Sequence, residues 1–170
     1  MNILIVCYSM SGNVFNVCTE IAGVCGADVL RVEPEKTYPD KGMKKFLWGG
    51  KSALMGEKPP LKPYETDLGS YDAVVIGYPV WASTYPPPIA SFIEAHKEEL
   101  KEKEIGAVAC FAGSGGAKSL SKLKNALDVD AFFATALVQD SYPKKADLEA
   151  ARKESIRTFA ETLKNKTNEE

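Results

Sequence analysis

A short polar loop near the start of the chain carries residue types suited to binding a phosphate group. The loop consists of Ser9, Met10, Ser11, Gly12, Asn13 and Val14. It lies between an apolar run and a helical pattern, and a helix start offers free N–H donors and the positive end of the helix dipole. The hydroxyl and amide side chains add further donors. Because the loop itself has no lysine or arginine, it predicts an uncharged phosphate cradle; helix capping by Ser11 or Asn13 is the alternative.

A second candidate loop combines two large aromatic side chains with several prolines. Its residues are Pro79, Val80, Trp81, Ala82, Ser83, Thr84 and Tyr85, and three more prolines follow directly. Prolines restrict the motion of a loop, and aromatic rings stack well on flat conjugated ligands. Trp81 and Tyr85 therefore predict a wall against such a ring. Filling the hydrophobic core is the alternative role for the tryptophan.

A third candidate loop is rich in glycine. Its residues are Ala112, Gly113, Ser114, Gly115 and Gly116. It differs from a triphosphate-binding loop because Ala112 and Ala117 replace both required glycines. Its backbone amides and the Ser114 hydroxyl suit the polar edge of a ring, and a plain flexible turn is the alternative.

Other catalytic patterns do not fit the residues present. A cysteine phosphatase needs an arginine six residues after Cys7, where the chain has Asn13. A dinucleotide fingerprint needs three spaced glycines after the first strand, and only Gly12 is present. The single histidine, His96, lies among glutamates and is expected on the surface. The four cysteines lack Cys-x-x-Cys spacing, which favours buried reduced thiols over a zinc or iron–sulfur site.

Apolar segments that suit strands alternate with segments that suit helices. Strands are predicted at residues 2–8, 27–32, 73–78, 105–112 and 132–138, and helices from Val14 to a stop at Gly26 and at 87–100, 118–127 and 146–164. This alternation predicts a three-layer α/β sandwich around a five-stranded parallel sheet. Ligands of such sheets bind beyond the carboxyl ends of the strands, where the three loops would meet.

The composition fits one soluble domain. The chain has 170 residues, and we expect a single domain at 1–165 with a frayed tail at 166–170. A net charge of −2 argues against nucleic-acid binding. Neither a signal peptide nor an apolar run of about 18 residues is found, so no membrane contact and a cytoplasmic location are expected.

The segment 35–63 departs from the alternating pattern. It contains seven lysines against three carboxylates, although the whole chain is slightly acidic. Apolar residues at Met43, Phe46, Leu47, Ala53 and Leu54 predict a short amphipathic helix that ends before two prolines. The segment is interpreted either as a solvated connection or as a docking surface for a partner.

Taken together, the three loops resemble the flavodoxin family, whose members bind FMN. The family's phosphate loop matches Ser9, Ser11, Gly12, Asn13 and Val14, and its flavin-ring loops correspond to 79–85 and 112–116. The resemblance covers about residues 2–163 and extends to a branch common in anaerobes through the run Tyr78-Pro79-Val80-Trp81. It implies the strand order 2-1-3-4-5 and FMN as the cofactor.

The resemblance leaves three functions open. A small electron carrier between redox proteins fits the chain's size and its lack of an insertion for a nicotinamide nucleotide. An FMN-dependent NAD(P)H:quinone-type reductase fits the weak net charge, because carriers are usually strongly acidic, and the absence of glycine from Val80 to Tyr85. A non-redox module would use the segment 35–63 to bind a partner. The expected partners are therefore redox proteins or a small acceptor such as a quinone.

Overall fold

Five parallel strands form the central sheet of the computed structural model, which describes residues 1–38, 50–51, 53–140 and 145–168. The strands are β1 (Ile3–Cys7), β2 (Asp28–Arg31), β3 (Ala73–Pro79), β4 (Glu104–Phe111) and β5 (Ala134–Gln139). Their order across the sheet is β2-β1-β3-β4-β5, and every neighbouring pair is parallel. Both the predicted fold class and the predicted strand order are confirmed.

Helices cover both faces of the sheet. They are α1 (Asn13–Cys25), α2 (Pro87–Ala95), α3 (Lys97–Leu100), α4 (Gly116–Leu127) and α5 (Ala146–Asn168), and a 3₁₀ turn spans Leu68–Ser70. One core cluster joins α1 and α5 to Ile3, Ile5 and Cys7, and a second joins α2 and α4 to Leu4 and Val6. Because side chains of a strand alternate between faces, a strand covered on both sides has the unbroken apolar run seen at β1.

The predicted helix at 87–100 is divided in two at His96. The backbone of His96 leaves the helical conformation, with φ −119° and ψ 21°. Its ring nitrogens form hydrogen bonds with the Tyr64 hydroxyl at 3.0 Å and with Glu99 at 2.8 Å, and its ring lies 4.7 Å from the Phe92 ring. The expected surface position was wrong, since the His96 side chain is only 17% exposed. These contacts give the histidine a structural role.

The last helix continues beyond its predicted end. We expected a helix to 164 and a frayed tail from 166, but α5 extends through Asn168. The Lys166 ammonium forms an ion pair with Glu104 at 2.6 Å and lies over the Phe133 ring at 4.8 Å. These contacts with the sheet hold the last described turn in place, which a sequence of charged residues alone does not reveal.

All four cysteines are buried free thiols, as predicted. A hydrogen bond with Cys7, together with burial, raises the pKa of the Cys18 thiol. Burial and the nearby Asp140 carboxylate raise the pKa of Cys110 to about 12. Thiols with raised pKa values stay protonated at neutral pH and are poor nucleophiles. They therefore pack as small apolar side chains.

The lysine-bearing segment is described only in part. Residues 50–51 and 53–54 are helical, and Leu54 and Met55 are about two-thirds exposed. Of the residues that predicted the amphipathic helix, Ala53 and Leu54 lie in this helical part, and Met43, Phe46 and Leu47 lie outside the described residues. In the part of the chain that is described, no helix has the length and apolar character needed to cross a membrane.

Candidate functional site

The loops after β1, β3 and β4 meet at the carboxyl end of the sheet, around a cavity of about 170 Å³. Nine of the residues predicted to bind a ligand line it, namely Ser9, Met10, Ser11, Asn13, Val14, Pro79, Val80, Trp81 and Ala112. Cys110, Phe111 and Asp140, which the sequence did not single out, complete the lining. The fold therefore brings all three predicted loops to one place.

The start of α1 keeps its backbone donors available. Its first flanking residue is Gly12, in the left-handed conformation at φ +87°, and no side chain in the described part of the chain caps the helix. Capping by Ser11 or Asn13, the alternative interpretation of this loop, is therefore wrong. A helix start without a cap presents unsatisfied N–H groups and the positive end of the helix dipole to the cavity.

The Ser9 hydroxyl is buried next to those donors and has no hydrogen-bond partner among the described residues. Ser9 is 3% exposed, and its Oγ is the one buried side-chain oxygen or nitrogen among the described residues that lacks a hydrogen bond. Leaving a buried polar group unsatisfied costs about 1–3 kcal/mol, so such a group calls for an explanation. A polar ligand in the cavity that Ser9 lines would supply the missing partner.

Two arginines lie close to the loop, so the prediction that no charged side chain lies near the cradle was wrong. Each is paired with a carboxylate, Arg31 with Glu33 at 3.5 Å and Arg152 with Asp140 at 2.9 Å. Arg31, the last residue of β2, donates from Nη2 to the Ser9 carbonyl oxygen at 2.7 Å. Its guanidinium also lies 5.5 Å from the centre of the Phe15 ring. Both arginines are distant in sequence from the loop. The strand order brings Arg31 on β2 to it, and the packing of α5 brings Arg152.

The second arginine, Arg152, forms an ion pair with the Asp140 carboxylate at the edge of the cavity. Asp140 follows β5 directly, and its backbone N–H donates to the Phe111 carbonyl at 2.8 Å. Its Oδ2 accepts a hydrogen bond from the Asn13 side-chain amide, and its Oδ1 accepts one from Arg152 Nε at 2.9 Å. A polar residue directly after the fifth strand was a signal that could have pointed to Asp140. Arg152 on α5 has no comparable local signal.

A tight turn fixes the second loop. The backbones of Trp81 and Thr84 exchange two hydrogen bonds of 2.9 and 3.0 Å, and Ala82 and Ser83 between them have φ of 49° and 58°. Two positive φ values in a two-residue turn are typical of type I′, which usually takes glycine or asparagine. Non-glycine residues held this way store backbone strain and often occur at functional sites. The turn holds the backbone of Trp81 beside the cavity.

Trp81 both lines the cavity and packs on neighbouring rings. Its ring meets Tyr8 edge-on at a centroid distance of 5.7 Å and Tyr38 at 5.2 Å. The two interpretations of this residue, wall and core, therefore describe two sides of one half-buried ring. Tyr85 packs against the same core cluster as Trp81, on the α2 and α4 face, but is not part of the cavity lining.

The third loop closes against the second. Gly115 has φ +93°, and a β-carbon there would lie 3.1 Å from the Ser83 Cα. Only glycine meets both conditions, the positive φ and the close approach. Ala112 lines the cavity, whereas Gly113, Ser114, Gly115 and Gly116 do not. Gly12, Ala82, Ser83 and Thr84 likewise shape the loops without being part of the lining.

A second depression of about 270 Å³ adjoins the cavity and shares Ser9 and Met10 with it. Its walls include Arg31, Tyr8 and Tyr38. Burial raises the pKa of the Tyr8 hydroxyl and raises that of Tyr38 to about 12, so both phenols are neutral at physiological pH. Across the described ranges, no group of three or more His, Cys, Asp or Glu side chains is placed to hold a metal ion.

A larger depression of about 560 Å³ lies at the opposite end of the sheet. It is lined by residues at the amino ends of the first two strands and by the end of α5, among them Asn2, Asp28 and Tyr71. Open parallel sheets bind ligands at the carboxyl ends of their strands. We therefore assign the candidate site to the smaller cavity between the three loops.

A family model described as flavodoxin matches residues 2–154 of the sequence. The chain belongs to the flavodoxin family. The family assignment agrees with the observed strand order and with the meeting of the three loops at the carboxyl end of the sheet. A search of curated proteins found no significant match.

Solved structures share the fold at low sequence identity. A protein from Bacteroides eggerthii, provisionally described as a flavoprotein, is 24% identical with a TM-score of 0.72, covering 95% of this chain and 97% of its own. A Lactobacillus acidophilus flavoprotein in complex with FMN is 21% identical, with a TM-score of 0.70 and coverages of 80% and 92%. Megasphaera elsdenii flavodoxin is 17% identical, with a TM-score of 0.55 and coverages of 96% and 98%.

Proposed function

We propose that this protein binds FMN in the cavity between the three loops and transfers electrons between redox partners. The observation that carries the proposal is the buried Ser9 hydroxyl beside the start of α1, for both of which the described residues supply no side-chain hydrogen-bond partner. Backbone N–H groups at a helix start and a serine hydroxyl are donors that a phosphate group accepts from. The structural similarity to a flavoprotein in complex with FMN supports the same cofactor.

The first loop fits the phosphate end of FMN. The backbone N–H groups at the start of α1, the Ser9 and Ser11 hydroxyls and the Asn13 amide would donate to the phosphate oxygens. A charge-assisted hydrogen bond from each donor orients the phosphate as well as binding it. Arg31, which donates to the Ser9 carbonyl and is ion-paired with Glu33 at 3.5 Å, lies behind the loop.

The second and third loops fit the flat ring. Trp81 would cover one side of it, and the turn at Ala82 and Ser83 limits the motion of that wall. Apolar lining residues such as Val80 and Phe111 would exclude water from the ring. When bound, FMN supplies the redox chemistry, and the protein contributes binding, orientation and the surrounding charges.

The site favours FMN over FAD or NAD. The described residues provide one phosphate cradle. After β2, where a dinucleotide site would have a carboxylate for the ribose of FAD or NAD, the nearest candidate is Glu33. Glu33 is instead paired with Lys62 at 2.8 Å, and this ion pair lowers the pKa of its carboxyl. We expect mass spectrometry of the cofactor released from the purified protein to identify FMN. Recovery of FAD, or a purified protein that neither contains nor binds a flavin, would overturn the proposal.

An FMN-dependent NAD(P)H:quinone-type reductase is the second candidate. The specific observation that favours it is the second loop, whose tight turn is formed by Ala82 and Ser83 rather than by a glycine. The weak net charge of −2 points the same way. Anaerobic mixing of the flavin-loaded protein with NADH or NADPH separates the two functions, because a reductase is reduced rapidly and a carrier needs a partner protein or dithionite.

The partners and the location are part of the same proposal. Redox proteins, or a small acceptor such as a quinone, would exchange electrons with the ring at the exposed edge of the cavity. We propose that this exchange takes place in the cytoplasm. Four cysteines that are all free thiols support a reducing compartment.

A further inference from the structure

We infer that Asp140 and Arg152 control the affinity of the site for a phosphate-bearing ligand, with Arg152 acting only by neutralising the Asp140 charge. The inference rests on the proposed FMN site and concerns residues outside the three loops. It makes Asp140 a positioning residue for Asn13. It makes Arg152 the residue that allows a carboxylate to lie beside a bound phosphate.

The contacts of Asp140 place it between the cradle and α5. One carboxylate oxygen accepts from the Asn13 amide and the other from Arg152 Nε, so each oxygen has its own partner. The Asp140 backbone is tied to the end of β4 by its hydrogen bond to the Phe111 carbonyl. The carboxylate is therefore held in position from three directions.

The Asn13 amide can serve both the protein and the ligand. A side-chain amide nitrogen carries two hydrogens. One of them is donated to Asp140, which fixes the plane of the amide, and the second is left for a ligand in the cavity that Asn13 lines. Asp140 thus orients a donor that would otherwise rotate freely.

The same carboxylate would repel a phosphate if its charge were not compensated. Asp140 lines the cavity and Arg152 does not, so the arginine lies behind the carboxylate rather than facing the ligand. The side chains of Asp140 and Arg152 are 33% and 17% exposed, which leaves their interaction only partly screened by solvent. Removing the arginine should therefore uncover a negative charge next to the phosphate.

The test is a double-mutant cycle read with two ligands. Arg152→Gln, Asp140→Asn and the double variant are titrated with FMN and with riboflavin, which has the same ring but no phosphate, by following flavin fluorescence at low ionic strength. Arg157→Gln on the same helix is the matched control, because Arg157 is exposed and forms its ion pairs with Glu154 and Glu161 on that helix. Urea unfolding of each apo variant shows whether it is folded.

We expect Arg152→Gln to weaken FMN binding about tenfold or more, because it leaves a partly buried carboxylate uncompensated. Riboflavin affinity should change less than about twofold, since an uncharged ligand does not sense that repulsion. In the Asp140→Asn background, Arg152→Gln should have almost no effect on the affinity for FMN. Arg157→Gln should leave both affinities unchanged.

Three results would overturn the inference. An equal loss of FMN affinity in the Asp140→Asn background would show that Arg152 does not act through Asp140. An equal loss of riboflavin affinity would show a general structural effect, and unchanged FMN affinity in Arg152→Gln would show no role at all. If the wild-type protein binds neither flavin, the proposed function fails together with the inference; if the wild type binds FMN but the cycle shows no coupling, only the inference fails.

Discussion

Replacing Asn13 with aspartate is expected to lower FMN affinity by about a hundredfold or more. Losing one charge-assisted hydrogen bond costs about 1.5–3 kcal/mol, and the new carboxylate would also repel the phosphate. The side chain at position 13 also contacts the Asp140 carboxylate, so the variant loses that hydrogen bond with or without FMN, which lowers the free energy of unfolding rather than the affinity. Titration of the apo protein with FMN, followed by flavin fluorescence, measures the change.

Asn16→Asp is the matched control for that substitution. Asn16 lies one turn later on α1 and is exposed, so the change in charge is the same at a position away from the cavity. We expect it to leave FMN affinity nearly unchanged. If Asn13→Asp and Asn16→Asp bind FMN equally well, the phosphate does not bind at the start of α1.

Replacing Trp81 with alanine is expected to weaken FMN binding by roughly 10- to 50-fold. The variant loses the aromatic contact, worth about 0.5–1.5 kcal/mol beyond the buried area, and the area itself. Removing an electron-rich indole should also raise the potential for the second electron, because the π face of the indole then no longer opposes the negative charge of the reduced ring. Flavin titration and a potentiometric titration measure the two effects.

Trp81→Phe provides the control, since it keeps a ring beside Tyr8 and Tyr38. It also assigns the fluorescence, because Trp48 remains as the second tryptophan. The difference in emission between the wild type and Trp81→Phe is the emission of Trp81. A tryptophan in contact with a flavin is strongly quenched, so FMN should quench this difference. Full emission from Trp81 in the FMN-bound protein would show that the residue belongs to the core alone.

The sheet and the three loops were predictable from the sequence because their signals are local. The apolar run at β1 and the glycine stop at Gly26 depend on neighbouring residues, and each predicted strand contains or overlaps an observed one. A parallel order then brings the loops after β1, β3 and β4 to one edge. The nine predicted residues that line the cavity follow from this topology.

The charges of the site were not predictable because they come from distant elements. Arg31 approaches the first loop from β2, and Arg152 approaches from α5, more than a hundred residues after it in the chain. The contacts of His96 are also non-local, since its partner Tyr64 lies 32 residues away. The sequence also could not show that Trp81 lines the cavity and Tyr85 does not, because the placement of each ring depends on the turn between them.

Urea unfolding of the wild type and Ser9→Ala, with and without FMN, tests most directly the claim that the loop after β1 binds the phosphate. Ser9 Oγ is buried and has no partner among the residues that the structure describes, so removing it should raise the free energy of unfolding of the apo protein by about 1 kcal/mol. FMN should then stabilise the variant by about 1.5–3 kcal/mol less than it stabilises the wild type, because a donor to the phosphate is missing. We therefore predict that Ser9→Ala is the more stable protein without FMN and the less stable one with it. If FMN raises the free energy of unfolding of the wild type and of Ser9→Ala by the same amount, the result would contradict the account.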